Sequence, residues 1–518
     1  MRHDSHNIVR VRELPDDSIS IDGGRVFKPQ IDLERSLELL KSFNAVVDRR
    51  RRPIYKAWQY ADYYLLPAFQ QYLMWGFFVP LVKHHHFWTE IRSRNIQLED
   101  RDYYSFGSLT RLLTTLRYQP RRKMDHYIFA AVSHMILPTV TPSVPILFCD
   151  DYADGDWRYS TLKHTLRQIP LQFACSRELG RGSWGLIPKE GFFFHGHGYW
   201  GGYKYESPDI DFSRLEDLLV YLSEWELKSL ICFLTARFSE IVSDCNYVLS
   251  IFKRWRPKMI LAYDQLERNL SVVLAAKIAN IPVVSYQHGA ANRYATGVIS
   301  PGIPTEVCNL KSDKLILWGN YWKDRLTSYS NKYLENDLVV GCHHSKRLVY
   351  RPQPLRVGKP VRILMPFEFL PFPEEVIEYI DLFAKRNWNV VIKLRPAFPD
   401  SARAAYAGVP SSHVQFVEDI TEDQIVNDFD AIAGAQSTFL YETSGLGRPI
   451  WYLRTSFKMI ESIVTDGIAH ELTPEMLRET SNLNWLFQPK CTQETFLSLF
   501  AQQSQTDVVK SVFEQCCA

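Results

Sequence analysis

No two cysteines stand two residues apart in this chain, although it has nine, at positions 149, 175, 232, 245, 308, 342, 491, 516 and 517. The usual zinc-binding spacing is therefore missing. An odd number at irregular intervals fits reduced thiols better than a disulfide framework. Charge excess is also lacking, since 60 Lys+Arg face 58 Asp+Glu for a formal charge of +2. That removes the global electrostatic footprint of a nucleic-acid binder. There is no internal repeat and no low-complexity tract. The opening residues, MRHDSHNIVRVRELPDD, contain no apolar core and do not read as a secretory signal. The most apolar stretch, 63 to 82, is interrupted by Pro67, Gln70, Gln71, Gly76 and Pro80. A membrane span wants about 20 predominantly apolar residues, so this stretch reads as a buried or interfacial aromatic helix.

What remains is a chain of 518 residues, 46% hydrophobic and 14% aromatic, long enough to bury cores in two or three domains. A cytoplasmic protein is expected. Two basic clusters interrupt the balanced charge, Arg49 to Arg52 followed by Pro53, and Arg121-Arg122-Lys123. They read either as a solvated face or as a contact with an anionic membrane surface, on the inner face of the cell membrane.

Residues 1 to about 26 read as a loose leader, and 31 to 122 as mostly helical, with Leu33, Leu37, Leu40 and Phe43 at helical spacing. Alternation of strand and helix begins near Val144. The run KMILAY, then LERNLSVVLAAKIA, then PVVSY reads as strand, helix and strand, a βαβ unit that implies a parallel sheet. KLILW follows as a further strand. A basic, proline-bearing linker at 342 to 360 precedes a second alternating region. The expected division is a helical extension at 1–140, part of or appended to the domain after it. A Rossmann-like domain at 141–345, a second at 346–490 and a terminal helix at 491–518 follow. The expected fold class is α/β, with two doubly wound domains facing a cleft.

Ligands of open parallel sheets sit at the carboxyl ends of the strands. Asp264 follows KMILAY, Gln287-His288-Gly289 follows PVVSY, and Lys393 with Arg395-Pro396 ends NVVIKL. Ser437 and Thr438 open a helix that carries Glu442, with Gly447 and Pro449 beyond it. Cationic side chains and helix amides suit a departing phosphate. Glu442 can accept hydrogen bonds from ribose hydroxyls. His288 or Asp264 can act as general base toward a hydroxyl, and Gly289 lets a substrate approach the backbone.

The segments PVVSYQHGA, DKLILWGNYWKDRL, VVIKLRP and AQSTFLYETSGLGRPIWYL resemble glycosyltransferases of the GT-B fold. The likeness is to bacterial enzymes of capsule and surface polysaccharide synthesis, relatives of teichoic acid glycerophosphotransferases included, and covers roughly 255 to 455. It implies transfer of a sugar from a nucleotide-sugar donor to a glycan or glycolipid acceptor, with no metal or other cofactor. A base and a phosphate clamp without a paired nucleophile point to an inverting single displacement, and the balanced charge to no nucleic acid. Many members carry a histidine-proline pair where this chain has Arg395-Pro396, which favours plain phosphate binding there. The Ser437, Glu442, Gly447, Pro449 pattern is shared with nucleotide-sugar 2-epimerases, so an epimerase or hydrolase stays open, as does a non-catalytic carbohydrate binder. Asp154-Gly155-Asp156 reads as a polar loop. His195-Gly196-His197 supplies too few ligands for a metal. The surrounding glycine-aromatic segment, 180 to 205, reads as an acceptor-gripping loop, with Gln287, His197 and Trp200 as the acceptor contacts.

Overall fold

The structure is a computed structural model. It describes residues 8–9, 11–14, 18–21, 24–93, 97–98, 146–149, 174–175, 192–193, 203–263, 270–330, 332–342, 348–354, 360–368, 373–394, 399–410 and 412–517.

The first large sheet joins β1 (Ile146–Cys149), β2 (Met259–Tyr263), β3 (Val283–Tyr286), β4 (Lys314–Leu317) and β5 (Leu338–Val340), in that spatial order and all parallel. Ala174–Cys175 lies against β1 and pairs in parallel with Phe192–Phe193 in a separate two-stranded sheet. Within the five-stranded sheet the strands follow one another outward from β1 at its edge. The strands are mostly apolar, with Ser285 in β3 and Lys314 at the start of β4 as exceptions, as strands covered on both faces tend to be. Four helices matter here: α1 (Leu33–Asn44), α2 (Glu224–Trp255), α3 (Leu270–Ile278) and α4 (Asn320–Tyr329). Helix α2 runs 32 residues from a capping box, in which Ser223 and Glu226 satisfy each other's backbone N–H groups, to a left-handed Arg256. Six of the nine residues of α3 are buried, as the crossover of a βαβ unit requires.

The second sheet holds β6 (Val361–Pro366), β7 (Trp388–Lys393), β8 (Val414–Val417), β9 (Ala431–Gly434), β10 (Ile450–Leu453) and β11 (His470–Leu472). Their spatial order is 8-7-6-9-10-11, parallel throughout. The order reverses between β6 and β9, which opens a crevice at their carboxyl ends. A short helix, α5 (Phe439–Thr443), leaves β9. Helices α6 (Gln493–Leu499) and α7 (Gln505–Cys517) then return to the first sheet. The whole is an α/β architecture built on two large parallel sheets, each with helices packed against it.

Several expectations need correction. The stretch read as a loose leader contains a three-stranded antiparallel sheet, Val11–Glu13, Ile19–Ile21 and Arg25–Phe27, and Ile19 and Phe27 join the core. Short strands with few apolar residues give too weak an alternation to be seen in sequence. The helical residues 33 to 91 share one hydrophobic core with α2 and α3. Residues 63 to 82 are not one helix: a two-residue strand (Tyr63–Tyr64), a 3₁₀ turn, one α turn, a π segment (Met74–Phe78) and a last α turn follow one another. Leu73, Met74, Phe77 and Phe78 are fully buried, while Tyr72 on the same stretch is exposed. Arg49 to Arg52 are exposed, and Arg49 pairs with Asp209. No helix among the described residues is long and apolar enough to cross a membrane. The terminal segment is two helices, because residues between them pair with Cys342: its N–H donates to the Gln503 carbonyl at 2.8 Å, and Gln505 N–H donates back at 2.9 Å.

Candidate functional site

The site is built where loops from the two sheets meet. β3 ends at Tyr286, and Gln287 begins the turn. Gln287 N–H donates to the Ile316 carbonyl at 2.8 Å, its Nε2 donates to the Gly289 carbonyl at 2.7 Å, and its Oε1 accepts from Trp318 N–H at 2.9 Å. The Trp318 indole N–H adds a bond to the Gln287 carbonyl at 3.2 Å. Gln287 is 4% exposed, so its amide is spent on fixing the turn, where sequence reading had placed it against an acceptor. His288 and Gly289, both partly buried, are the residues this turn presents. Gly289 does not occupy the left-handed region. A Cβ built on it would meet Thr438 Cγ2 at 3.6 Å, an ordinary contact. The first domain's turn thus touches the start of α5 in the second.

On that second side β9 ends at Gly434, and residues 435 to 438 lead into α5. Ser437 Oγ accepts from Phe439 N–H at 3.2 Å and so begins the helix. Five residues on, Glu442 is partly buried. Burial raises its carboxyl to about 7, and the Lys393 ammonium at the end of β7 pulls it down. The pull identifies Lys393 and Glu442 as electrostatic neighbours. Lys393 ends β7, and Ser437, Thr438 and Glu442 follow β9, so all four stand on segments that leave the carboxyl ends of these two strands. Gly447 ends this element at φ +68°, and a Cβ there would lie 2.5 Å from Gln353 N. The linker backbone at Arg351 and Gln353 thus packs directly on it.

One residue was missed. Glu368, two positions after β6, is 8% exposed. Its carboxylate accepts from three consecutive backbone N–H groups: Ala435 at 2.9 Å, Gln436 at 2.9 Å and Ser437 at 2.7 Å. Burial raises this carboxyl to about 7 against the lowering effect of the three amides. The only signal was an acidic residue directly after a strand. Nothing in the sequence says that β6 and β9 are neighbours.

Asp264, Arg395, His197 and Trp200 lie outside the described residues, as do Asp154, Asp156 and His195.

The chain matches no protein-family model and no curated protein sequence. Among solved structures it is similar to UDP-GlcNAc 2-epimerase from Methanocaldococcus jannaschii, at 10% identity and a TM-score of 0.43, covering 71% of this chain and 99% of that one. It is similar to MurG from Acinetobacter baumannii at 12% identity, TM-score 0.44, over 72% and 100% of the two chains. CalG4, the calicheamicin glycosyltransferase, aligns at 14% identity, TM-score 0.43, over 72% and 97%. Likeness of this degree decides nothing about activity, which has to be read from the site.

Proposed function

We propose that this chain is a glycosyltransferase that moves a sugar from a nucleotide-sugar donor to a glycan or glycolipid acceptor in bacterial surface polysaccharide synthesis. The observation that supports the reading is the approach of the Gly289 turn to Thr438, with Lys393 and Glu442 on the donor side of that contact. Lys393, with Arg395 beyond the strand, would compensate the charge growing on the departing phosphate. Ser437 and Thr438 would donate to phosphate oxygens, and Glu442 would accept from ribose hydroxyls. His288, or Asp264, would take the proton of the acceptor hydroxyl as its oxygen attacks the anomeric carbon. The bond from that carbon to the phosphate oxygen breaks, its electron pair leaving with the nucleotide. Single displacement inverts the anomeric centre. No step calls for a metal.

The test is a thermal-shift screen of the purified chain against UDP, GDP, CDP, CMP and dTDP, with and without EDTA. A ligand bound only by the native state raises the melting temperature by mass action, about 2.7 kcal/mol at a hundredfold excess over Kd. One nucleotide should raise it, EDTA should not abolish the rise, and Lys393→Ala should reduce it. No rise with any of the five refutes the reading. Conversion of a free nucleotide sugar to its 2-epimer, without acceptor, would establish the epimerase alternative.

A further inference from the structure

We propose that Glu368 is a positioning residue for transfer: its carboxylate holds the 435–438 loop so that Thr438 meets the Gly289 turn and α5 presents Glu442 beside Lys393. The inference rests on the reading of this region as the nucleotide-sugar side. It adds a residue from β6 that touches neither substrate nor reacting atoms.

The crevice between β6 and β9 is where a doubly wound sheet takes its ligand, and Glu368 follows β6 and bonds to the amides that follow β9. Three successive amides converge on one buried carboxylate. Oε1 accepts from Gln436, Ser437 and, at 3.2 Å, Ala435, while Oε2 takes the shorter Ala435 bond at 2.9 Å. No cation pairs with Glu368 among the described residues, where its partners are these three amides. Gly434 makes room, since a Cβ there would stand 3.0 Å from Oε1. Helix α5 has only five residues and cannot orient the loop by itself. The loop runs without interruption from the held amides to Thr438, whose methyl faces the other domain. Loss of the hold therefore frees Ser437, Thr438 and the first turn of α5 together.

Glu368→Gln keeps the shape and changes the bonding. Its single carbonyl oxygen can serve two of the amides, but its NH₂ group then faces a backbone N–H, donor against donor. Glu368→Asp keeps the charge and withdraws it by one methylene, which guards against misfolding of the first variant. Full-length wild type and both variants would be compared by hydrogen exchange at amides 435 to 437. They would also be compared in affinity for whichever of UDP, GDP, CDP, CMP and dTDP shifts the wild type most. The melting temperature checks the fold. The expected result for Glu368→Gln is exchange faster by about tenfold or more at those amides and nucleotide binding weaker by about the same factor, as loss of charge-assisted hydrogen bonds implies. Glu368→Asp should fall between it and wild type. Unchanged exchange overturns the proposal, as does faster exchange with unchanged affinity. Tighter binding in Glu368→Gln also overturns it, because the carboxylate would then be competing with the ligand for the amides. Failure of the wild type to bind any of the five refutes the nucleotide-sugar reading and the positioning role with it, while the exchange rates still report whether Glu368 holds the loop.

Discussion

Glu442 carries its proton more tightly in the folded chain than an unfolded glutamate does, because burial lifts its carboxyl from 4.5 to about 7. The folded state therefore binds the extra proton between those values. Stability from this group falls as pH rises from 4.5 to 7, and the deficit persists above 7. Glu442→Gln removes the titration. Its melting temperature relative to wild type should rise across that window and level off above it, by an amount corresponding to about 1–3 kcal/mol. Scanning calorimetry at about pH 5 and about pH 8 measures the difference, and a gap that does not change with pH would contradict it. The same variant should bind nucleotide less well, so stability and binding move in opposite directions, as at many functional sites. Ser437, Glu442 and Gly447 were legible in sequence because one continuous motif carries all three. Lys393 was legible as a cation at a strand end. Glu368 was not, because its role depends on the pairing of β6 with β9, two strands 64 residues apart at their nearest described ends with no local trace of their adjacency.

At the level of elements, two glycines of the candidate site separate function from folding. Gly447 has a positive φ of 68°, and a Cβ there would stand 2.5 Å from Gln353 N and 2.9 Å from the Arg351 carbonyl. Both strain and clash oppose any side chain. Gly447→Ala should cost about 1–3 kcal/mol, seen as a lower melting temperature. Gly289→Ala meets only a methyl at ordinary distance and should melt within about 0.5 kcal/mol of wild type. If the turn faces a substrate, that variant loses transfer all the same. Equal melting of the two variants would show that the 447 turn relaxes, and full transfer by Gly289→Ala would remove the turn from the site. The runs KMILAY, PVVSY, KLILW and NVVIKL lie within a residue of β2, β3, β4 and β7, since buried parallel strands are short apolar runs with sharp ends. β5 and β11 escaped notice because LVV and HEL are too short to stand out. The break in the terminal segment escaped because Cys342, its pairing partner, is distant in sequence.

The two domains are joined by a core that belongs to both. Leu317, Trp318, Trp322 and Leu326 of the first pack with Leu440, Tyr441 and Ile463 of the second and with Phe496 and Phe500 of the returning tail. The Trp322 and Tyr441 rings stand 5.0 Å apart, and Trp318 stacks on Phe500 at 6.0 Å. Arg325 on α4 pairs with Asp466 across the boundary, and Tyr321 donates to the same carboxylate. Phe496 fills the space that a Cβ on Gly445 would need, so the tail is seated on α5's continuation as well as on the first sheet. Domains that meet through small polar interfaces move and melt separately, whereas a large apolar junction couples them. The chain should therefore unfold in one calorimetric transition, with van't Hoff and calorimetric enthalpies in agreement. Phe496→Ala should lower that transition by about 3–5 kcal/mol without altering any group at the candidate site. Two resolved transitions in the wild type would mean that the shared core is not a cooperative unit. A single one would mean that the spacing between the Gly289 turn and Thr438 is set by folding, before any ligand arrives.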